Sequence, residues 1–280
     1  MTKETFTMGG KSIDTNEDCV YLCEDYGFVM DGATGLLKEN ITGWVSDAKW
    51  YVETFKEFLI KKLKESKELR EIMKEGIKYV SNLYNNLDRA STVKSKPSSG
   101  IALFRKKDDK LEYFILGDCQ LIVRNKDDKI FKLQLDDLPK LDAININRMV
   151  EIAKDKNINV IDARPLINEY LVETRLTQNT NKGYWILSED VSAVQHALYG
   201  TLDISDIKEI IGLTDGFNQL YETFKVFTFE ELANLIYKNN VKLEYLYKTL
   251  YTLQENDMYC NKYPRFKIRD DATIFNYELD

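Results

Sequence analysis

The sequence predicts an α+β fold of antiparallel strands covered by helices, and three observations carry it. First, strand-like runs at 100–105, 111–116, 121–124 and 130–133 are separated only by the turns KKDDK, GDC and NKDDK. Links this short join antiparallel neighbours into a meander, because parallel strands need much longer crossovers. Second, Trp44, Ala48, Tyr51, Val52, Phe55, Phe58 and Leu59, then Ile72, Ile77, Val80 and Leu83, recur every three or four positions among Lys and Glu. That spacing makes two helices with one apolar face each, enough to cover one side of a sheet. Third, 217–224, 229–237 and 241–255 are again helical, rich in Leu and Tyr, and supply a second outer layer.

In chain order, 5–8 reads as an edge strand followed by the Gly9-Gly10 turn. The string MGGKS at 8–12 resembles the end of a nucleotide-binding loop, but Thr5 stands where that loop requires Gly, and no buried strand precedes it. The stretch from Asn16 to Gly35, NEDCVYLCEDYGFVMDGATG, is a hairpin that opens on acidic residues and closes on Asp31-Gly32. After the first helix pair, the polar segment 87–99 with its Lys96-Pro97-Ser98 turn leads into the meander. Segment 135–182 differs: Leu138-Pro139, helical stretches near 146–153 and 166–176, and a polar loop at 177–183. A short strand at 184–187 and a helix opening at Ser188 precede the apolar run that ends in Thr214-Asp215-Gly216. The last strand, 272–277, follows Asp270-Asp271.

Composition excludes several classes. With 280 residues, 44% hydrophobic and 30% charged, the chain can bury ample core as one large domain or two small ones. A net charge of −7 and a pI near 5.1 argue against nucleic acid as partner. No apolar run has the length of a membrane span and no signal-peptide pattern opens the chain, so a cytoplasmic protein with no membrane partner is expected. Cys19, Cys23, Cys119 and Cys260 form no CxxC pair and read as small buried residues. The single histidine, His196, cannot build a histidine-rich zinc site and reads as an ordinary helical residue.

One pattern remains. Asp31-Gly32, Gly117-Asp118, Asp215-Gly216 and Asp270-Asp271 each place a carboxylate at the end of a short apolar run or just before one. An Asp beside Gly can simply make a turn. If the strands are neighbours, however, the carboxylates converge on one edge. Two of them about 5 Å apart repel by roughly 3 kcal/mol at an effective dielectric near 20, so a cluster stays ionised only around a cation. Oxygen ligands without His or Cys select a hard divalent ion, Mg²⁺ or Mn²⁺.

The order NED, DGxxG, GD, TDG, DDxT resembles the metal-dependent protein phosphatases of type 2C, and it spans nearly the whole chain. The resemblance implies a single phosphatase-like domain over 1–280, built as a four-layer αββα sandwich with two antiparallel sheets between helices. It also implies a site holding two metal ions, with a possible third, and a phosphorylated protein as substrate. Carried onto this chain, Asp31 bridges two metals, the Gly32 carbonyl binds one, and Asp215 and Asp270 are further ligands, with Asp31 and Asp215 the catalytic pair. Glu17 and Asp18 hold metal-bound waters, and Asp271 gives a supporting hydrogen bond, the reverse roles for Asp270 and Asp271 remaining open. Asp118 belongs to a further metal position or is a plain hairpin aspartate. Segment 135–182 resembles the family's flap, an insertion over the site. The reaction implied is attack of a metal-activated water on a phosphoserine or phosphothreonine, with no covalent intermediate.

Two departures from that pattern stand out. Where many relatives carry His after Asp-Gly, this chain has Ala33. Where they carry a phosphate-binding Arg before the acidic cluster, an ungapped count reaches Ile13. Lys11 is close by and offers a point charge without the two-pronged geometry of guanidinium. Arg164, Arg175, Arg265 and Arg269 are other candidates. A cysteine-based phosphatase is excluded, because Cys119 and Cys260 each precede an Arg by five positions rather than six. The alternatives are a phosphatase-like binding or regulatory module with impaired turnover, and a hydrolase of another phosphoester. The oligomeric state stays open.

Overall fold

The computed structural model describes residues 2–33, 40–93 and 95–279. Thr34 and Gly35, which close the predicted stretch from Asn16, and Lys94 of the polar connection lie outside them. The strands are β1 (Lys3–Met8), β2 (Cys19–Leu22), β3 (Tyr26–Ala33), β4 (Ser98–Lys107), β5 (Lys110–Leu116), β6 (Gln120–Asn125), β7 (Ile130–Leu133), β8 (Leu198–Asp203), β9 (Ile207–Leu213) and β10 (Ala272–Glu278). The helices are α1 (Asp47–Lys62), α2 (Leu69–Asn85), α3 (Asp137–Lys156), α4 (Asn168–Leu176), α5 (Asp215–Asn218), α6 (Phe229–Ile236) and α7 (Leu243–Glu255).

Two five-stranded antiparallel sheets stand face to face, one ordered β1-β10-β9-β6-β7 and the other β2-β3-β4-β5-β8. Alternation along each strand sends one set of side chains inward. Val29, Ala102, Phe104 and Ile115 from one sheet meet Leu121, Val123, Ile210 and Phe275 from the other in the central layer. The opposite set faces the helices. Phe28, Met30, Ile101 and Leu103 pack under α1 and α2, while Ile122, Ile211, Leu213 and Ile274 pack under α5, α6 and α7. The result is the expected four-layer αββα sandwich, with β1 on an edge.

Helix starts explain one misplaced core residue. The Ser46 hydroxyl accepts from the Lys49 amide at 3.1 Å, so α1 begins at Asp47 and Trp44 falls outside the helical period, 47% exposed. In α2 the buried stripe closes on Tyr84, whose hydroxyl donates to Asp47 at 2.7 Å, and Leu83 points to solvent.

The strand expectations need three corrections. The meander holds only in halves: β4 pairs with β5 and β6 with β7, but the Gly117-Asp118-Cys119 link crosses from one sheet to the other. Residues 184–187 form no strand. β3 and β5 occupy both sides of β4 from Ile101 onward, leaving Leu187 a single bridge to Ser99. Conversely β8, in the sequence LYGTLD, pairs with β5 at the sheet edge. Its partly exposed residues hide the apolar alternation that marks a half-buried strand.

Between β7 and β8 the chain forms α3, a 3-10 turn at Ile161–Ile167, and α4. Met149, Ala153, Ala163, Ile167 and Leu171 make their own small core there, closed by Cys260, Phe266 and Ile268 from the segment before β10. No helix among the described residues is long and apolar enough to cross a membrane, and all the cysteines are free.

Candidate metal centre

The acidic endings converge at one end of the sandwich. Among the described residues, Asp31, Asp118 and Asp215 each present a carboxylate oxygen within 4.8 Å of the others. They come from three elements: Asp31 from the end of β3, Asp118 from the link between sheets, and Asp215 from the first residue of α5. Register explains the meeting. Asp31 lies opposite Gly100 on β4, and a Cβ on Gly100 would stand 2.6 Å from the Asp118 carboxylate. The missing side chain at Gly100 is the space through which Asp118 reaches Asp31. Gly216, in α5 just after β9, has the matching role, since a Cβ there would stand 1.8 Å from the Asp271 carbonyl.

Supporting groups fix this arrangement. Asp271 accepts from the Gly10 amide at 2.8 Å and the Glu17 amide at 2.7 Å, tying β10 to both N-terminal loops. Asp18 is buried; one oxygen accepts from the Thr214 hydroxyl at 2.8 Å, and the other has no hydrogen-bond partner. The Thr214 hydroxyl in turn accepts from the Thr273 amide at 3.1 Å. Gly32 is buried in β3, beside the Glu17 carbonyl and α1.

The electrostatics are those of crowded, buried carboxylates. Burial, then Asp18, Asp215 and Asp118, hold the Asp31 carboxyl well above the usual range. Burial, then Asp270 and Asp118, do the same to Asp215. Burial pushes Asp18 up to about 8, with Asp271 adding to it, and pushes Asp118 up to about 6. An orphaned buried oxygen and three converging carboxylates, with no nitrogen or sulfur ligand grouped with them among the described residues, fit a hard divalent ion.

The other expected site residues divide. Asp270 is electrostatically close to Asp215 and Asp118, but its carboxylate is held by Lys267 Nζ at 2.5 Å. Lys11 is exposed and is not part of the cleft wall, and Ile13 is 52% exposed. His196 stacks on Trp185 with ring centroids 3.4 Å apart.

A cleft of about 670 Å³ runs from Asp118, Asp215 and Asp270 between α3 and the segment before β10. It contains two residues that sequence reasoning missed. Asp142 on α3 faces the cluster, its carboxyl pushed up to about 7 by burial and then by Asp118 and Asp270. Lys267 is the other. Asp142 reaches the site only through tertiary packing, whereas Lys267 stands three residues before Asp270 in the chain and pairs with it.

This sandwich with an acidic cluster at one end has the fold of the bacterial serine/threonine phosphatases of type 2C. Serine/threonine phosphatase Stp1 from Staphylococcus aureus is similar over 100% of this chain and 95% of its own, with a TM-score of 0.57 and 12% identity. The Mycobacterium tuberculosis serine/threonine phosphatase PstP/Ppp is similar over 100% and 98%, with a TM-score of 0.57 and 11% identity. A bacterial serine phosphatase is similar over 100% and 98%, with a TM-score of 0.56 and 14% identity. No protein-family profile and no curated protein matches the sequence. At these identities the likeness is one of fold.

Proposed function

We propose that the protein is a metal-dependent phosphatase acting on phosphoserine or phosphothreonine in proteins. The observation that carries this reading is the convergence of Asp31, Asp118 and Asp215 within 4.8 Å from separate elements of that fold. These three would hold the metal ions, Mg²⁺ or Mn²⁺, together with the Gly32 carbonyl, and Asp270 would join them on leaving Lys267. Two ions is the number the resemblance implies, with Asp118 facing a third. Divalent ions bound in such a site supply an activated water and offset phosphoryl charge.

The chain's own residues supply position and proton handling. Asp18 aims its unpartnered oxygen from a buried position and is oriented by Thr214. Asp271 holds the Gly10 and Glu17 backbones, and Glu17 would hold a metal-bound water, as the resemblance implies. Ala33 leaves no imidazole after Asp-Gly, so the leaving alkoxide takes its proton from solvent. Segment 135–182 acts as a flap: α3 walls the cleft with Pro139, Asp142 and Ile146, and selects which phosphopeptides enter.

A second reading, a phosphatase-like binding module with impaired turnover, is favoured by one observation: neither Ile13 nor Lys11 offers a phosphate-gripping guanidinium at the cleft. Hydrolysis of a phosphothreonine peptide with Mn²⁺, with Mg²⁺ and with EDTA separates the two. Metal-dependent turnover lost in Asp31→Asn and Asp215→Asn is the expected result. Divalent-ion binding without turnover supports the module instead.

A further inference from the structure

A site that presents carboxylates to a phosphoester dianion needs a protein cation beside them, or the substrate meets repulsion on approach. Among the described residues, the cations that line the cleft with Asp118 and Asp215 are Lys225, Lys262, Arg265 and Lys267. Arg265 is committed elsewhere. Its guanidinium donates to Asp257 Oδ2 at 2.9 Å and to the backbone carbonyls of Tyr263 and Asp257 at 2.8 Å, Ile268 at 3.1 Å and Gln254 at 3.3 Å. It is only 4% exposed. All its donors are spent on folding the segment between α7 and β10 into a fixed shape.

That shape aims Lys267. Phe266 and Ile268 pack into the small core of the 135–182 segment, and Lys267 between them points to the cleft with its side chain 62% exposed. Its ammonium donates to Asp270 at 2.5 Å. Of the arginines weighed from sequence, Arg269 pairs with Glu255 and lies over Tyr251, and Arg164 lies over Phe266. Arg175 donates to Ser98 and its field reaches Asp118 and Asp142, but it is not among the residues that line the cleft.

We propose that Lys267 is the substrate-phosphate-binding residue of this protein, replacing from the C-terminal side the arginine absent at the N-terminal side. The assignment rests on the phosphatase reading above. As Asp270 turns to other partners, Lys267 keeps three N–H donors on a flexible four-carbon stem for the phosphate oxygens. An ammonium grips a phosphate at one point, not two, so affinity is modest and an arginine at 267 can serve in its place.

The test follows inorganic phosphate and Mn²⁺ separately, by calorimetry on the full chain, alongside p-nitrophenyl phosphate hydrolysis and its inhibition by inorganic phosphate. Lys267→Gln is expected to weaken phosphate binding about 10-fold or more, as loss of a charge-assisted hydrogen bond does. It should leave Mn²⁺ binding unchanged or tighter, because a competing cation has gone. Lys267→Arg should keep phosphate binding within about 3-fold of the original, and all variants should keep the same melting temperature within about 2 °C. Unchanged phosphate binding in Lys267→Gln overturns the assignment, as does joint loss of phosphate and Mn²⁺, which marks a structural role. The phosphatase reading fails by itself if the unaltered protein binds phosphate through Lys267 but hydrolyses no ester. The Lys267 assignment fails by itself if metal-dependent hydrolysis persists and Lys267→Gln changes neither phosphate affinity nor KM.

Discussion

Replacing Asp31 by Asn should make the metal-free protein more stable and its metal response vanish. The nearest carboxylate oxygens of Asp31, Asp118 and Asp215 lie within 4.8 Å of one another. At an effective dielectric near 20, each fully ionised pair repels by about 3.5 kcal/mol, and the substitution removes two of the three pairs. Proton uptake already relieves most of this, since Asp31 and Asp215 are both held above the usual carboxylate range. Solvent screening at these half-buried groups reduces the remainder to about 2 kcal/mol. An unfolding entropy near 2 cal/mol/K per residue over 280 residues turns that into a rise of about 3 °C. Scanning calorimetry at pH 8 in EDTA measures it directly. In Mn²⁺ at about 100 times its dissociation constant, the unaltered protein should gain a further 2.7 kcal/mol or about 4–5 °C, and Asp31→Asn nothing. A metal-free variant that melts lower, or one that keeps the Mn²⁺ shift, refutes the reasoning.

Other consequences can be checked with the same instruments. Asp18 and Asp118 titrate near 8 and 6 in the fold, above the ordinary value near 4. A raised carboxyl pKa stabilises below the unfolded value and loses that contribution as pH climbs through the folded one. The melting temperature in EDTA should therefore fall from pH 5 to pH 8 while Mn²⁺ affinity rises; a flat or rising melting curve contradicts this. Gly216→Ala drives a methyl to 1.8 Å from the Asp271 carbonyl, so the two acidic loops must part. Calorimetry should show Mn²⁺ affinity down at least ~10-fold, and an unchanged affinity removes Gly216 from the account. Thr214→Val takes a donor from buried Asp18 and an acceptor from the Thr273 amide, for about 1–3 kcal/mol, whereas Thr214→Ser should restore most of it in a denaturant melt.

The parts of the site that were legible in the sequence share a local signature. Asp31, Asp118 and Asp215 each end a short apolar run beside Gly, and the glycines at 100 and 216 are what let two carboxylates, or a carboxylate loop and a carbonyl, approach. Helical periodicity exposed both outer layers, because a repeat of three and four residues leaves no other face to bury, although 217–224, read as a helix, is helical only to Asn218 and continues as turns. Strand adjacency was not legible. Nothing in GDC distinguishes a hairpin turn from a link between sheets, and the partly exposed edge strand β8 lacks a clean alternation. Proximity in sequence misled in one place. Lys11 stands near the N-terminal acidic residues in the chain yet is exposed and off the cleft wall, while Lys267, three residues before Asp270 at the C-terminal acidic pair, lines the cleft. Asp142 was invisible for a related reason, because its position depends on how α3 folds back over the site.

The most direct test of the central claim is anomalous X-ray diffraction at the manganese edge from crystals soaked in Mn²⁺, with Asp215→Asn crystals treated identically. The account predicts anomalous peaks among the carboxylates of Asp31, Asp118 and Asp215 that weaken or vanish in the variant. Crystals with no manganese among these three residues, at a Mn²⁺ concentration that supports or stabilises the protein in solution, would contradict it.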